Sequence, residues 1–132
     1  MIVVDASVLV TALADDGQDG DQARTRLAGQ RLAAPQIVDL EVVSVLRRLT
    51  RTGQVEQRRA ALALTDLVEL PIERAPDLPL LQRCWELKAN VTVYDAAYIA
   101  LAETLGVVFL TSDARLARAT GIQCPIELIS AR

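Results

Sequence analysis

The chain has 132 residues, with no histidine, one lysine (Lys88) and two cysteines, Cys84 and Cys124. Without histidine there is no Ser-His-Asp or Cys-His catalysis, no His-ligated zinc and no histidine general base. No GxxxxGK[ST] surrounds Lys88, which excludes a P-loop, and no GxGxxG occurs. Two distant cysteines build neither a zinc cluster nor a disulfide scaffold, and Cys84, beside Trp85, reads as a buried thiol. No apolar run approaches the roughly 20 residues that span a bilayer. The opening MIVVDASVLV lacks a basic n-region and contains Asp5, so a signal peptide is not expected and the expected location is the cytoplasm. Linkers, repeats and low-complexity tracts are also missing, and residues 1–132 are expected to form one domain.

What remains for catalysis is carboxylates, hydroxyls, arginines and a bound metal. Composition is that of a folded globular protein, 52% hydrophobic and 23% charged. The net charge of −3 gives no general basic excess. Local basic groups do occur: Arg47, Arg48 and Arg51, then Arg58 and Arg59, and Arg115 with Arg118. Each can be a solvated helix face or a contact for a phosphate backbone.

The pattern predicts strands at Ile2–Asp5, Arg31–Ala34, Leu67–Ile72, Val107–Leu110 and Ile126–Ile129. Helices are expected at Ala6–Ala14, Asp21–Ala28, Ile37–Thr52 with Pro35 leading in, Val55–Asp66, Leu78–Ala89, Val93–Leu105 and Ala114–Thr120. Gly53 and Gly106 read as helix stops. Strands alternating with helices indicate an α/β fold with a parallel sheet covered on both faces.

Four acids stand where strands or loops pass into helices: Asp5 in IVVDAS, Glu41 in APQIVDLEVVSVLRR, Asp95 in VTVYDAAYIALAE and Asp113 in VVFLTSDARLA. A simpler explanation competes for three of them, because carboxylates are favoured at helix N-termini. Asp5 can be an N-cap, Asp95 lies three residues after Thr92, and Asp113 falls in a first turn with Thr111 or Ser112 as cap. Glu41 fits capping worst, since it lies inside a helix among Ile, Val and Leu, where a lone carboxylate is costly. Arg48, on roughly the same face, is its candidate ion-pair partner. Asp39, two residues from Glu41, points elsewhere and is left outside the set. Taken together, the acids suit a crevice at the sheet's switch point. Their mutual repulsion calls for a cation, and oxygen donors suit Mg²⁺ or Mn²⁺. Ser7 and Thr111 supply hydroxyls two residues from Asp5 and Asp113.

At these positions the chain resembles the PIN-domain nucleases, specifically the VapC-type toxins of bacterial toxin–antitoxin pairs. The resemblance rests on DxS at Asp5–Ser7, the in-helix acid Glu41 after AP, DAAYIALAE at Asp95 and LTSDARLA at Asp113. It implies a three-layer α/β/α fold with a five-stranded parallel sheet in the order 3-2-1-4-5, and a metal-dependent endoribonuclease. It further implies an antitoxin partner that covers the acidic site, an RNA substrate and a homodimer. Asp5, Glu41, Asp95 and Asp113 would then hold one or two ions, with Asp5 and Asp113 as direct ligands, Ser7 and Thr111 in support, and Arg48 and Arg115 as RNA contacts. Three alternatives stay open: a PIN nuclease of RNA processing, a catalytically silent PIN-like binding module, and a phosphoacceptor receiver domain. The last wants an acidic pair at the first strand, an Asp ending the third and a lysine near the fifth; here the expected third strand ends in Leu70–Pro71, and no lysine lies near Ile126–Ile129.

Overall fold

In the computed structural model, described over residues 1–129, five parallel strands form one sheet in the order β3-β2-β1-β4-β5. Three C-terminal positions of the expected single domain lie outside the described residues. The strands are β1 (Ile2–Val4), β2 (Leu32–Pro35), β3 (Ile72–Ala75), β4 (Val108–Thr111) and β5 (Ile126–Leu128). The helices are α1 (Ala6–Ala14), α2 (Gln18–Leu27), α3 (Val38–Arg51), α4 (Gln57–Glu69), α5 (Leu81–Glu86), α6 (Val93–Leu105) and α7 (Ala114–Arg118). A 3-10 turn, Leu78–Leu80, precedes α5.

The order of the sheet follows from where apolar residues are continuous. Strand β1 is buried at all three positions, which requires helices against both faces. Helix α1 packs with α2, α3 and α4, whereas α5 pairs with α6, and α6 lies against β1, β2 and β4. Phe109, Leu9, Ile99 and Leu110 are fully buried at the centre, and Tyr98 stacks on Phe109 with ring centroids 5.7 Å apart. Val3 pairs with Ala33 on one side and Phe109 on the other, so β1 lies where the strand order reverses.

The expected topology is observed, and α1 and α6 fall on their expected bounds. The third strand is a correction. Leu67 to Glu69 belong to α4, whose buried positions Ala60, Ala63 and Leu67 keep helical spacing, and β3 starts only after Pro71. Its sequence, Ile-Glu-Arg-Ala, carries two exposed charges because β3 is an edge strand. Pro35 ends β2 and does not enter the helix; at a strand end its missing N–H costs little. The helix expected over Leu78–Ala89 is broken into a 3-10 turn containing Pro79 and the shorter α5. No helix of the described residues is long and apolar enough to cross a membrane.

Candidate active site

Asp5 follows the last residue of β1 and caps α1. Its Oδ1 accepts from the Val8 N–H at 3.0 Å and from the Ser7 hydroxyl at 2.6 Å. Its Oδ2 accepts from Thr111 at the end of β4, at 2.5 Å. Capping and site membership are therefore one role here: the helix end fixes one carboxylate oxygen and the neighbouring strand fixes the other. Thr111 is fully buried, and its hydroxyl is satisfied twice, since it also accepts from the Asp113 N–H at 3.1 Å. One side chain thus ties the two strand-end acids together. Ser7 reaches the same strand end through a 3.0 Å hydrogen bond shared with Ser112.

Asp113 is the N-cap of α7 and not a first-turn residue, accepting from the Arg115 N–H at 2.9 Å. Arg115 also grips it with two guanidinium hydrogen bonds, 3.1 Å from Nε and 2.8 Å from Nη2. That grip holds the Asp113 carboxyl below its ordinary range against the opposing effect of burial.

Glu41 and Asp95 arrive on helices. Glu41, in the first turn of α3, accepts a 2.5 Å hydrogen bond from the Tyr98 hydroxyl. Burial raises its carboxyl; the tyrosine partly offsets this, and Asp95 and Asp5 add repulsion. The expected pairing with Arg48 is not formed among the described residues: Arg48 is exposed, further along α3, and Tyr98 takes its place. Asp95 sits in the first turn of α6, which Thr92 caps by accepting the Asp95 N–H at 3.1 Å. Burial also raises Asp95; Thr92 opposes the rise, Asp113 and Asp5 add to it, and Arg115 partly reverses it. Asp39 turns away to pair with Arg74 at 2.8 Å, as its helix position requires.

Asp5, Glu41, Asp95 and Asp113 line one pocket of about 250 Å³, with Ser7, Ser44 and Tyr98. Larger hollows exist, such as one of about 690 Å³ between α2 and β5, but its lining carries two carboxylates beside an arginine and no such set. Tyr98 and Ser44 were not singled out from sequence. Both stand three residues after a site acid on the same helix, Asp95 and Glu41, and that spacing is the signal that finds them.

Four carboxylates with hydroxyl neighbours and no thiol or imidazole form an oxygen donor set suited to a hard divalent cation. The ligand sphere is not closed, however. Among the described residues no three acidic, thiol or imidazole groups already stand close enough to hold one ion. Arg115 already engages both oxygens of Asp113, and Tyr98 engages Glu41. The donors fit a hard cation in kind. The receiver alternative loses ground, since β1 ends in a single acid and β3 ends at Ala75 with Pro76 next.

Comparison with known proteins agrees with this geometry. Residues 2–122 match the PIN domain family. Ribonuclease VapC9 of Mycobacterium tuberculosis is 44% identical over 132 residues, covering 98% of both chains. Ribonuclease VapC1 of the same organism is 41% identical over 128 residues, covering 96% of each. Among solved structures, the Mycobacterium tuberculosis toxin VapC20, described as cleaving the sarcin-ricin loop, superposes with a TM-score of 0.69. That match covers 93% of this chain and 97% of the other at 17% identity, a likeness of fold. VapBC2 from Rickettsia felis, solved with a promoter DNA fragment, gives a TM-score of 0.65 at 13% identity over 97% and 98% of the chains. The chain belongs to the PIN-domain family and, within it, to the VapC ribonucleases.

Proposed function

We propose that this VapC-family ribonuclease cuts RNA endonucleolytically at the four-carboxylate pocket, with Mg²⁺ or Mn²⁺ held by Asp5, Glu41, Asp95 and Asp113. The observation that carries this reading is the convergence of four acids from four separate segments on one pocket at the switch point of the sheet. A divalent ion held there would polarise the scissile phosphate and the attacking water and offset charge on the phosphoryl oxygens. The protein's part is placement. Ser7, Val8 and Thr111 fix Asp5, Thr111 carries Asp113, and Tyr98 orients Glu41. Burial, with a smaller share from neighbouring acids, raises the proton affinity of Glu41 and Asp95, and a bound cation would favour their charged forms.

The partner expected for a VapC toxin is a VapB-type antitoxin that covers this pocket, and the whole 132-residue chain is taken as one PIN unit acting as a homodimer inside the cell. Exposed Leu78 in the 3-10 turn, with Leu81 and Trp85 on α5, offers apolar surface for such contacts. Arg48, exposed on α3 and without a carboxylate partner among the described residues, is a candidate contact for the RNA backbone.

The test is cleavage of total RNA by purified protein with Mg²⁺ or Mn²⁺, beside EDTA and Asp5→Asn controls. Asn keeps the cap to Val8 and sheds one repelling charge, which offsets its lost acceptor for the Thr111 hydroxyl, so the metal-free protein should stay folded while Mn²⁺ binding and cleavage are lost. Cleavage that survives Asp5→Asn would refute the assignment. A folded protein that neither binds Mn²⁺ nor cuts RNA would favour the silent binding module. Growth arrest on expression, relieved by a co-expressed antitoxin, checks the toxin role; cutting without arrest would favour RNA processing.

A further inference from the structure

Beside the acidic pocket lies a second hollow of about 480 Å³, walled by Lys88, Asn90, Thr92, Asp95 and Arg115 among others. Asp95 lines both, so the two are contiguous. The wall is fastened from several directions. Asn90 donates from Nδ2 to the Thr120 carbonyl at 2.5 Å, and Arg83 donates to the Gly121 carbonyl at 2.8 Å. Gly121 has φ +81°, a conformation that calls for glycine, and a Cβ there would also displace the Asn90 Nδ2 2.8 Å away.

Neither cation of this hollow has a carboxylate partner outside the acidic site among the described residues. Arg26, Arg59, Arg74 and Arg83 are engaged by Glu127, Asp16, Asp39 and Glu103, away from the pocket. Lys88 has no carboxylate partner among the described residues; its Nζ rests 4.2 Å from the centroid of the Trp85 ring. Arg115 is 81% exposed, and its only carboxylate partner among the described residues is Asp113, itself a site acid. The guanidinium end is open to solvent, so a second anion can reach it. A phosphodiester offers a guanidinium the same two-oxygen geometry that a carboxylate does.

Resting on the nuclease reading above, we propose that this hollow is a phosphate subsite for the RNA strand next to the scissile position, where Arg115 exchanges the Asp113 carboxylate for an RNA phosphate. Lys88 supplies the second cation, and together they offset the repulsion of Asp95. The exchange frees Oδ2 of Asp113 and leaves Oδ1 with only its backbone cap, opening the carboxylate to the divalent ion, so strand arrival and completion of the ligand set become one event. Arg115 is thus a positioning residue as well as a substrate contact. Before RNA binds, its grip on Asp113 competes with the metal.

The experiment measures two affinities that need no turnover. Binding of a short fluorescein-labelled single-stranded RNA is followed by anisotropy in EDTA across salt concentrations, and Mn²⁺ binding is followed by electron paramagnetic resonance without RNA. The proteins are wild type, Lys88→Ala, Arg115→Gln and a remote control, Arg31→Gln, whose partner is Glu73. Arg115→Gln should bind RNA several-fold more weakly yet Mn²⁺ several-fold more tightly. Lys88→Ala should weaken RNA binding and leave Mn²⁺ unchanged. Each should reduce the slope of log affinity against log salt by about 0.7, and the control should do neither. Equal RNA affinity and slope in both variants, or unchanged or weaker Mn²⁺ binding in Arg115→Gln, would overturn the proposal. If wild type itself binds no RNA, or Asp5→Asn leaves Mn²⁺ binding intact, the nuclease assignment fails first; wild-type binding with silent variants sinks the subsite alone.

Discussion

Thr111→Val tests the join between the two strand-end acids most directly. Valine nearly matches threonine in shape, so the fully buried site neither collapses nor overfills. The change removes the hydroxyl that donates to Asp5 Oδ2 and accepts from the Asp113 N–H. Hydrogen bonds to charged groups contribute about 1.5–3 kcal/mol, and an orphaned buried donor costs about 1–3 kcal/mol. Asp5 is only half-buried and recovers part of its loss from water, which places the total at about 2–4 kcal/mol. With an unfolding entropy of about 2.1 cal/mol/K per residue over 132 residues, this lowers Tm by about 7–14 °C. Urea unfolding and calorimetry of metal-free protein give the stability, and Mn²⁺ titration gives the site. Metal affinity should also fall, because neither acid is held in place. Thr111→Ser should recover most of both. A valine variant within about 0.5 kcal/mol of wild type, with undiminished Mn²⁺ affinity, would show that the strand ends are positioned by the backbone alone.

Tyr98→Phe should keep the stack on Phe109 but strip Glu41 of its donor, costing about 1 kcal/mol of metal-free stability and raising the Glu41 pKa further; pH-dependent Mn²⁺ binding shifted toward higher pH checks this, and an unshifted profile would refute it. On acidification, burial pushes Glu103 up, but Arg83 and the Gln123 N–H more than reverse it, leaving it below its ordinary value. Its stabilisation is therefore present above the unfolded pKa and is lost as pH falls through the folded one, and Glu103→Gln should flatten that acid limb in pH-dependent unfolding. Glu41 and Asp95, raised in the fold, have the opposite sign: metal-free stability should rise as pH falls through their folded values, before the Glu103 loss sets in. A monotonic fall from neutral pH would contradict that ordering.

The residues most legible in the sequence were those whose role is local. Asp5, Asp95 and Asp113 sit at helix starts marked by caps, and Gly106, in the left-handed region at φ 67°, ends α6 where expected. The central strands could be found because each is a short apolar run bounded by polar turns. An edge strand such as β3 has no such mark: half its residues face water, so Leu67 and its neighbours, apolar for the sake of α4, attracted the assignment instead. At the site, acid identities could be read but acid partners could not. Tyr98 lies 57 residues from Glu41 and Thr111 lies 106 from Asp5, so these contacts exist only after the sheet has assembled. Arg48 was the natural partner for Glu41 on one helix, and a tyrosine from a different helix displaced it.

That Asp5 closes the end of α1 and lines the acidic pocket constrains how this protein can change over generations. A lineage released from selection for cleavage would not be free to place any residue there. Alanine would forfeit the cap on α1, a cost of about 0.5–2 kcal/mol, whereas asparagine or serine would keep it. An inactive descendant should therefore drift to Asn or Ser at position 5, leaving a fossil of the active site in a residue that by then serves only the helix.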